Sequence, residues 1–343
     1  MPAEWERHEA TWIGWPQNLT DWPGKFSPIP WVYGEIVRKL SQGEIVRILV
    51  DSKAVEEKAL RVLQKAGVDT ATVEFFRFPT NRGWTRDSGP IFVKTGKNFK
   101  ERRILRFGFS AWAKYPNWQK DCMVPERASK ALKIPVLDPM VGKRRAVLEG
   151  GSIDVNGCGT LLTTEECLLH PDIQVRNAGF TQGDYERIFR DYLGAPNVLW
   201  LGRGIAGDDT HGHVDDLCRF VNRTTIVLCM EKNPRDDNYR PLHENEERLQ
   251  GMRLESGSKP EVVLLPMPKP LIFNRQRLPA SYANFYISNA AVLVPTFNDP
   301  NDRIALGILA ELFTGRPVIG IHAVDLVWGL GTLHCLTQQQ PAE

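Results

Sequence analysis

Five short stretches limit what this chain can become: "GWTRDSGPIFV", "LEGGSIDVNGCGTLLTT", "GHVDDLCRFVNRTTIVL", "FYISNAAVLVPTFN" and "GLGTLHCLTQQ". In the first four a polar turn, glycine-bearing in three of them, lies against β-branched strand sequence, and the C-terminal stretch could be the fifth. The stretches share a pattern rather than a sequence. Repeated supersecondary units set around an axis would bring such turns together.

Strand candidates are numerous and short: "EIVRILV", "VEFFRF", "GPIFVK", "GSIDV", "GTLLTT", "NVLWL", "CRFV", "TTIVLCM", "EVVLLP", "AAVLVP" and "PVIGIH". Helical period appears in "AVEEKALRVLQKAG", "DYERIFRDYLGA" and "RIALGILAELFTG", the last behind the N-cap region "NDPND". Strands interleaved with helices place the chain in the α/β or α+β classes. Their two-to-one excess argues against a plain βαβ series. "NLTDWPGKFSPIP" and "EKNPRDDNYRPL" read as long loops.

Charge excludes several functions. Forty-three basic against 41 acidic residues leave +2, which is no footprint for nucleic acid or an anionic membrane. No apolar run reaches the ~18 residues of a membrane span. The polar start "MPAEWERHEATW" is not a signal peptide, so a cytoplasmic location is expected. Six scattered cysteines without a CxxC pair argue against a disulfide framework and a structural zinc.

The densest polar stretch is "GRGIAGDDTHGHVDD". Its glycines Gly202, Gly204 and Gly207 match G-x-G-x-x-G, but no helical period follows, as a dinucleotide site requires. His211, His213 and Asp215 alternate and would share one face of a strand. A zinc or iron site is one reading. A general base, His213, beside the substrate-binding carboxylate Asp215 is the other. No second histidine cluster supports the metal, so that reading ranks lower. Trp84, Arg86 and Asp87 precede a Ser-Gly-Pro turn, and Glu149 precedes two glycines. Acids before turns often only hydrogen-bond the turn, but neighbouring glycines allow a close approach. Cys335 follows Gly329, Gly331 and His334 and is a candidate reactive thiol. The other five cysteines read as structural.

With "MPAEWERHEATWIGWP", "WTRDSGPIFV", "LEGGSIDVNGCGTLLTTEECLL", "GDDTHGHVDD", "YANFYISNAAVLVPTFNDPNDRIAL" and "GLGTLHCLTQQQ" in this order, the whole chain resembles the agmatine deiminase/bacterial peptidylarginine deiminase family of the guanidino-group-modifying superfamily. The resemblance implies one catalytic domain over residues 1–343, an α/β five-bladed propeller of pseudo-fivefold ββαβ units (the pentein fold), with its site on the axis. It implies Cys335 as nucleophile and His213 as general acid/base. Asp87 and Asp215 would hold the guanidinium, Glu149 would pair with the histidine and the substrate nitrogens, and Trp84 would form an aromatic wall. Asp209 would reach agmatine's far amine. The partner is a small guanidino substrate, no metal or organic cofactor is required, and a homo-oligomer is left open.

The chemistry asks for such residues. A guanidinium is planar and permanently charged, and two carboxylates clamp it. Its carbon is a poor electrophile, so a thiolate is the fitting nucleophile. The expected reaction converts a guanidino group to a ureido group plus ammonia through an amidino-cysteine, with agmatine giving N-carbamoylputrescine. Arginine or peptidyl-arginine deimination and amidino transfer are alternatives on the same fold. A metal-dependent hydrolase using His211, His213 and Asp215 is a further one, and a non-catalytic aromatic-rich binder is the last.

One position departs from the family pattern: Arg82, in "TNRGWTRD", stands where an aspartate is usual. Facing the pocket, it would repel agmatine's ammonium. Because Asp208 and Asp209 keep the region acidic, Arg82 is expected to face solvent.

Overall fold

The computed structural model describes residues 1–343. The architecture is mixed α/β. Two two-stranded hairpins, Met140–Val141 with Arg144–Arg145 and Ile272–Phe273 with Gln276–Arg277, accompany five larger sheets that share one pairing scheme. In each of the five, a first strand pairs antiparallel with a second, and the second pairs parallel with a third. A helix joins the second strand to the third.

Ile91–Thr95, Glu101–Leu105 and Val136–Leu137 form one such unit around helix Val124–Leu132. Asp154–Val155, Thr160–Thr164 and Asn197–Leu201 form the next, around Gln182–Ile188. Cys218–Phe220, Thr225–Met230 and Glu261–Pro266 follow around Tyr239–Gly251. Tyr286–Ile287, Val292–Thr296 and Val318–His322 follow around Pro300–Leu312. The remaining unit joins the chain ends: Thr337–Pro341 pairs antiparallel with His8–Gly14, which pairs parallel with Ile45–Leu49. Helix Ile29–Leu40 connects the latter two, and Val73–Phe76 adds a fourth strand.

Local sequence explains these elements. Every residue of Thr225–Met230 is buried, as the near-continuous apolar run "TIVLCM" requires of a central strand. Helix Pro300–Leu312 starts at a capping box: the Asp299 side chain accepts from the Asn301 N–H, and Asp302 reaches back to the Asp299 N–H. It ends at Leu312, three residues before Gly315. All eleven strand candidates are strands. The loop expected over "EKNPRDDNYRPL" is shorter than read, because a helix begins at Tyr239 within it.

A short turn stands immediately before the first strand of most units. These turns are Thr85–Ser88, Gly150–Ser152, Val214–Asp216 and Leu333–Leu336. Thr85–Ser88 packs against Leu333–Leu336 and Gly150–Ser152, and Gly150–Ser152 packs against Val214–Asp216. The glycine-bearing turns of the sequence therefore meet in space. The largest apolar cluster runs from Ile13 to Leu336 and includes Trp84 and Cys335. No helix is long and apolar enough to cross a membrane.

Candidate active site

Where the turns meet, a cavity of about 320 Å³ opens, lined among others by Trp84, Asp87, Trp112, Asp209 and Cys335. Glu149, His213 and Asp215 are wholly buried and lie behind it. The turn glycines make the crowding possible. A Cβ on Gly151 would sit 2.5 Å from His213 Nδ1, 2.9 Å from an Asp87 oxygen and 3.0 Å from an Asp215 oxygen. A Cβ on Gly331 would sit 2.8 Å from the Trp84 ring and 3.2 Å from Cys335 Sγ. The glycines ahead of Cys335 thus admit the aromatic wall as well as leaving the sulfur open.

Asp87 is fixed at both oxygens. Oδ1 accepts from the Gly151 N–H at 3.0 Å, and Oδ2 accepts from Trp112 Nε1–H at 2.9 Å. Trp112 is held in a left-handed turn, with φ of 47°, 59° and 52° at Ala111, Trp112 and Ala113. Such a run costs about 1–2 kcal/mol per residue and is sustained by the packing around it. Asp215 Oδ2 lies 2.6 Å from His334 Nδ1 and 3.8 Å from Cys335 Sγ, while its Oδ1 has no partner. His213 stands between two carboxylates, with Nδ1 3.8 Å from Asp87 and Nε2 3.8 Å from Glu149. Neither ring nitrogen makes a hydrogen bond. Asn284, in the loop before the strand Tyr286–Ile287, donates from Nδ2 to Cys335 Sγ at 3.1 Å and to Asp216 at 3.0 Å.

Electrostatics follow from this crowding. Burial lifts Asp87 to about 6, with Asp215 and Glu149 adding to the lift and His213 opposing it. Burial acts the same way on Glu149, but Arg176, paired at 3.2 Å, and His213 overcome it and hold Glu149 at about 2. Burial opposes charge on His213, yet Asp87, Cys167 and Glu149 carry it well above the ordinary imidazole range. The Cys335 thiol is pushed well up by burial, and then by Asp215, Asp216 and Asp87. The resting site is therefore a protonated thiol facing negative charge, with a cationic histidine beside it.

Two sequence expectations change. Residues 211–215 do not form a strand. The backbone turns through His211 (φ 64°) and Gly212 (φ 93°) before the helical turn Val214–Asp216. His211 consequently faces Glu166 and His170, while His213 faces Asp87 and Glu149. The H-x-H pair is split, its two rings facing different partners. Arg82 does not face solvent: its side chain is 10% exposed and lines the cavity. It donates to Asn117 O and Oδ1 at 3.0 and 2.8 Å and stacks on Tyr115 at 4.3 Å.

Asp209 also lines the cavity, where both of its oxygens are engaged, by Lys114 Nζ at 2.5 Å and Tyr115 OH at 2.7 Å. Asp208 serves the loop by accepting from the Gly212 and His213 N–H groups. Cys167, which reads as structural, offers its sulfur close to His213 and Glu149. Asn284, Trp112, Arg176 and His334 carried no separate signal, although Asn284 and His334 lie inside quoted motifs.

A thiol, an imidazole and several carboxylates around a small cavity define an enzyme site for a compact cation. Comparison with known proteins makes this specific. Residues 1–341 match the model of the Porphyromonas-type peptidyl-arginine deiminase family. The agmatine deiminase of Pseudomonas aeruginosa (strain LESB58) is 33% identical over 372 aligned positions, covering all of this chain and 95% of that protein. The substrate-bound C. jejuni agmatine deiminase superposes with TM-score 0.86 at 31% identity, over 99% of this chain and 95% of that one. The Enterococcus faecalis agmatine deiminase gives 0.89 at 30%, over 99% and 95%. An amidinotransferase from Microseira wollei shares the fold at TM-score 0.52 and 12% identity. The chain belongs to the Porphyromonas-type peptidyl-arginine deiminase family; it is a C–N hydrolase acting on amidines.

Proposed function

We propose that this enzyme hydrolyses agmatine to N-carbamoylputrescine and ammonia through a covalent intermediate on Cys335. The observation that carries the reading is the placement of Cys335 Sγ 3.8 Å from Asp215, in a cavity that Asp87 also lines. A guanidinium held between Asp87 and Asp215 brings its carbon to the sulfur. Its positive charge offsets the carboxylates that hold the thiol protonated, so binding favours release of the thiol proton to solvent and leaves the thiolate.

The thiolate attacks the guanidinium carbon and the C–S bond forms. The C–N bond to a terminal nitrogen breaks, and His213, protonated at rest, gives that nitrogen the proton with which it leaves as ammonia. The S-alkylthiouronium is then attacked by a water whose proton passes to His213. The C–O bond forms, the C–S bond breaks, the second water proton passes to the departing sulfur, and the neutral ureido product leaves with the thiol restored. Glu149, ionised and paired with Arg176, steadies the imidazolium. Trp84 and Trp112 wall the cavity around the reacting carbon.

Five units with one pairing scheme, four of which bring a turn to the site, support a five-bladed propeller as a single domain with the site on its axis. Six unpaired cysteines fit a reducing, cytoplasmic setting.

Arg82 in the cavity favours a second reading, a substrate whose far end bears a carboxylate, such as arginine or a C-terminal-arginine peptide. Ammonia release from agmatine, arginine and such a peptide, with the product identified by mass, tests both. A strong preference for arginine replaces the first reading with the second, and release from none of them overturns both.

A further inference from the structure

We infer that Asp21 recognises the far end of the substrate, its unshared carboxylate oxygen receiving the primary ammonium that a linear guanidine such as agmatine carries opposite its reacting group. The inference rests on the hydrolysis proposed above and names the residue that selects its substrate.

Asp21 lies in the loop "NLTDWP" and lines the same cavity as Cys335. Its neighbour Trp22 stacks against Trp84 at 5.5 Å, fixing this loop to the aromatic wall. The Asp21 side chain is 6% exposed. Oδ1 accepts from Asn18 Nδ2 at 3.1 Å and lies 3.6 Å from Arg82 Nε. Oδ2 is buried and has no hydrogen-bond partner. A buried carboxylate oxygen without a donor is costly and uncommon. On a cavity wall, no protein donor remains, and the ligand can supply one in place of cavity water.

The alternatives are already engaged. Asp87 is taken by the guanidinium end of the substrate in the reading above. Asp209 has a donor on each oxygen, through Lys114 and Tyr115. Arg82 is drawn toward Asn117 and the Tyr115 ring, so it balances Asp21 electrostatically without covering Oδ2. Burial lifts Asp21 to about 7, with Arg82 opposing and Asp121 adding. A further cation at Oδ2 relieves that burden.

The test compares agmatine with n-butylguanidine, which has the same chain but lacks the ammonium, in the wild type, Asp21→Asn and Asp209→Asn. Asp21→Asn should raise KM for agmatine about 10- to 100-fold, as expected for a lost charge-assisted contact. Its effect on butylguanidine should be at least tenfold smaller. Asp209→Asn should lower turnover of the two substrates alike. Asp21→Ser gives the same comparison if the Asn variant does not fold. Equal losses on both substrates in the Asp21 variants overturn the inference and leave the deiminase reading intact. A wild type that releases ammonia from neither compound overturns the deiminase reading and this inference with it.

Discussion

Asp215 and His334 are joined by one short contact, with Oδ2 of the aspartate 2.6 Å from Nδ1 of the imidazole. The other ring nitrogen lies 2.8 Å from Glu4 Oε2. Glu4 in turn meets Arg86 and Arg219 at 3.2 and 3.1 Å. One oxygen of Asp215 is thereby anchored to a buried ion network, while the other is left for a ligand. His334→Ala would leave Asp215 and Glu4 without their shared partner. Breaking buried pairs costs about 3–5 kcal/mol, so thermal denaturation should show Tm lowered by roughly 5 °C or more. An unchanged Tm would mean that His334 does not anchor Asp215.

Cys335 should react in an unusual order. Free thiols prefer neutral alkylating agents such as iodoacetamide to weakly electrophilic amidines. Here burial and three aspartates keep the thiol protonated, and a cation offsets those aspartates. Chloroacetamidine should therefore inactivate faster than iodoacetamide, with agmatine protecting. Mass spectrometry should place the adduct on Cys335 and not on Cys167, which does not line the cavity. Cys335→Ala should abolish turnover, a loss of at least about 10⁴-fold, while still binding agmatine. Residual activity near the wild-type level would remove the sulfur from the mechanism.

Asp87 gives a pH dependence whose sign is fixed. With Asp87 at about 6 against an ordinary 3.8, the folded chain holds this proton more tightly than the unfolded chain. Its effect on stability is thus unfavourable, growing as pH rises from about 4 to about 6 and constant above. Catalysis runs the other way, because a protonated Asp87 cannot clamp a cation. The kcat/KM for n-butylguanidine, which makes no contact with Asp21, should fall about tenfold per pH unit below pH 6. At pH 8, Asp87→Asn should lower kcat/KM by at least about 10²-fold with Tm no lower than the wild type, since escape from the buried charge offsets one lost hydrogen bond. A large drop in both would mark Asp87 as structural.

The sequence shows the apolar strands and hides the polar one. Thr337–Pro341 reads "TQQQP", yet every residue of it is buried. Two of its three glutamines are satisfied by distant partners, Gln340 accepting from Trp12 Nε1–H at 3.0 Å and Gln339 from Arg86 Nη1 at 2.7 Å, while the buried Gln338 Oε1 has none. No hydrophobic period marks such a strand, because hydrogen bonds rather than apolar burial secure it. The same holds at the site. Cys335, His213, Asp87, Glu149 and Asp215 stand beside glycines or in dense polar runs and are legible. Asn284 meets Cys335 across 51 positions of sequence, and Trp112 meets Asp87 from a left-handed turn. Those contacts come from chain topology, which local sequence does not carry. Arg82 misleads for a related reason: its neighbours in sequence are not Asp21 and Tyr115, which turn it inward.

Arg82 now supports a sharper prediction than simple repulsion. Two like charges about 5 Å apart at an effective dielectric near 20 repel by about 3 kcal/mol, so removing Arg82 should help an ammonium bind at Asp21. Arg82 also lowers the Asp21 pKa against burial, and without it Asp21 takes up its proton more readily. Near neutral pH the two effects oppose each other: the variant gains attraction but loses ionised carboxylate. At pH 9 the carboxylate is ionised to a greater extent and the gain in attraction prevails. Arg82→Gln should therefore leave KM for agmatine near the wild-type value at pH 7 and lower it by about tenfold or more at pH 9. The crossing pH reports the shifted Asp21. KM values measured for both proteins from pH 6 to 9.5 decide the matter. A fall in KM of equal size at every pH would mean that Arg82 only repels and does not tune Asp21. A KM unchanged throughout would remove Arg82 from substrate binding.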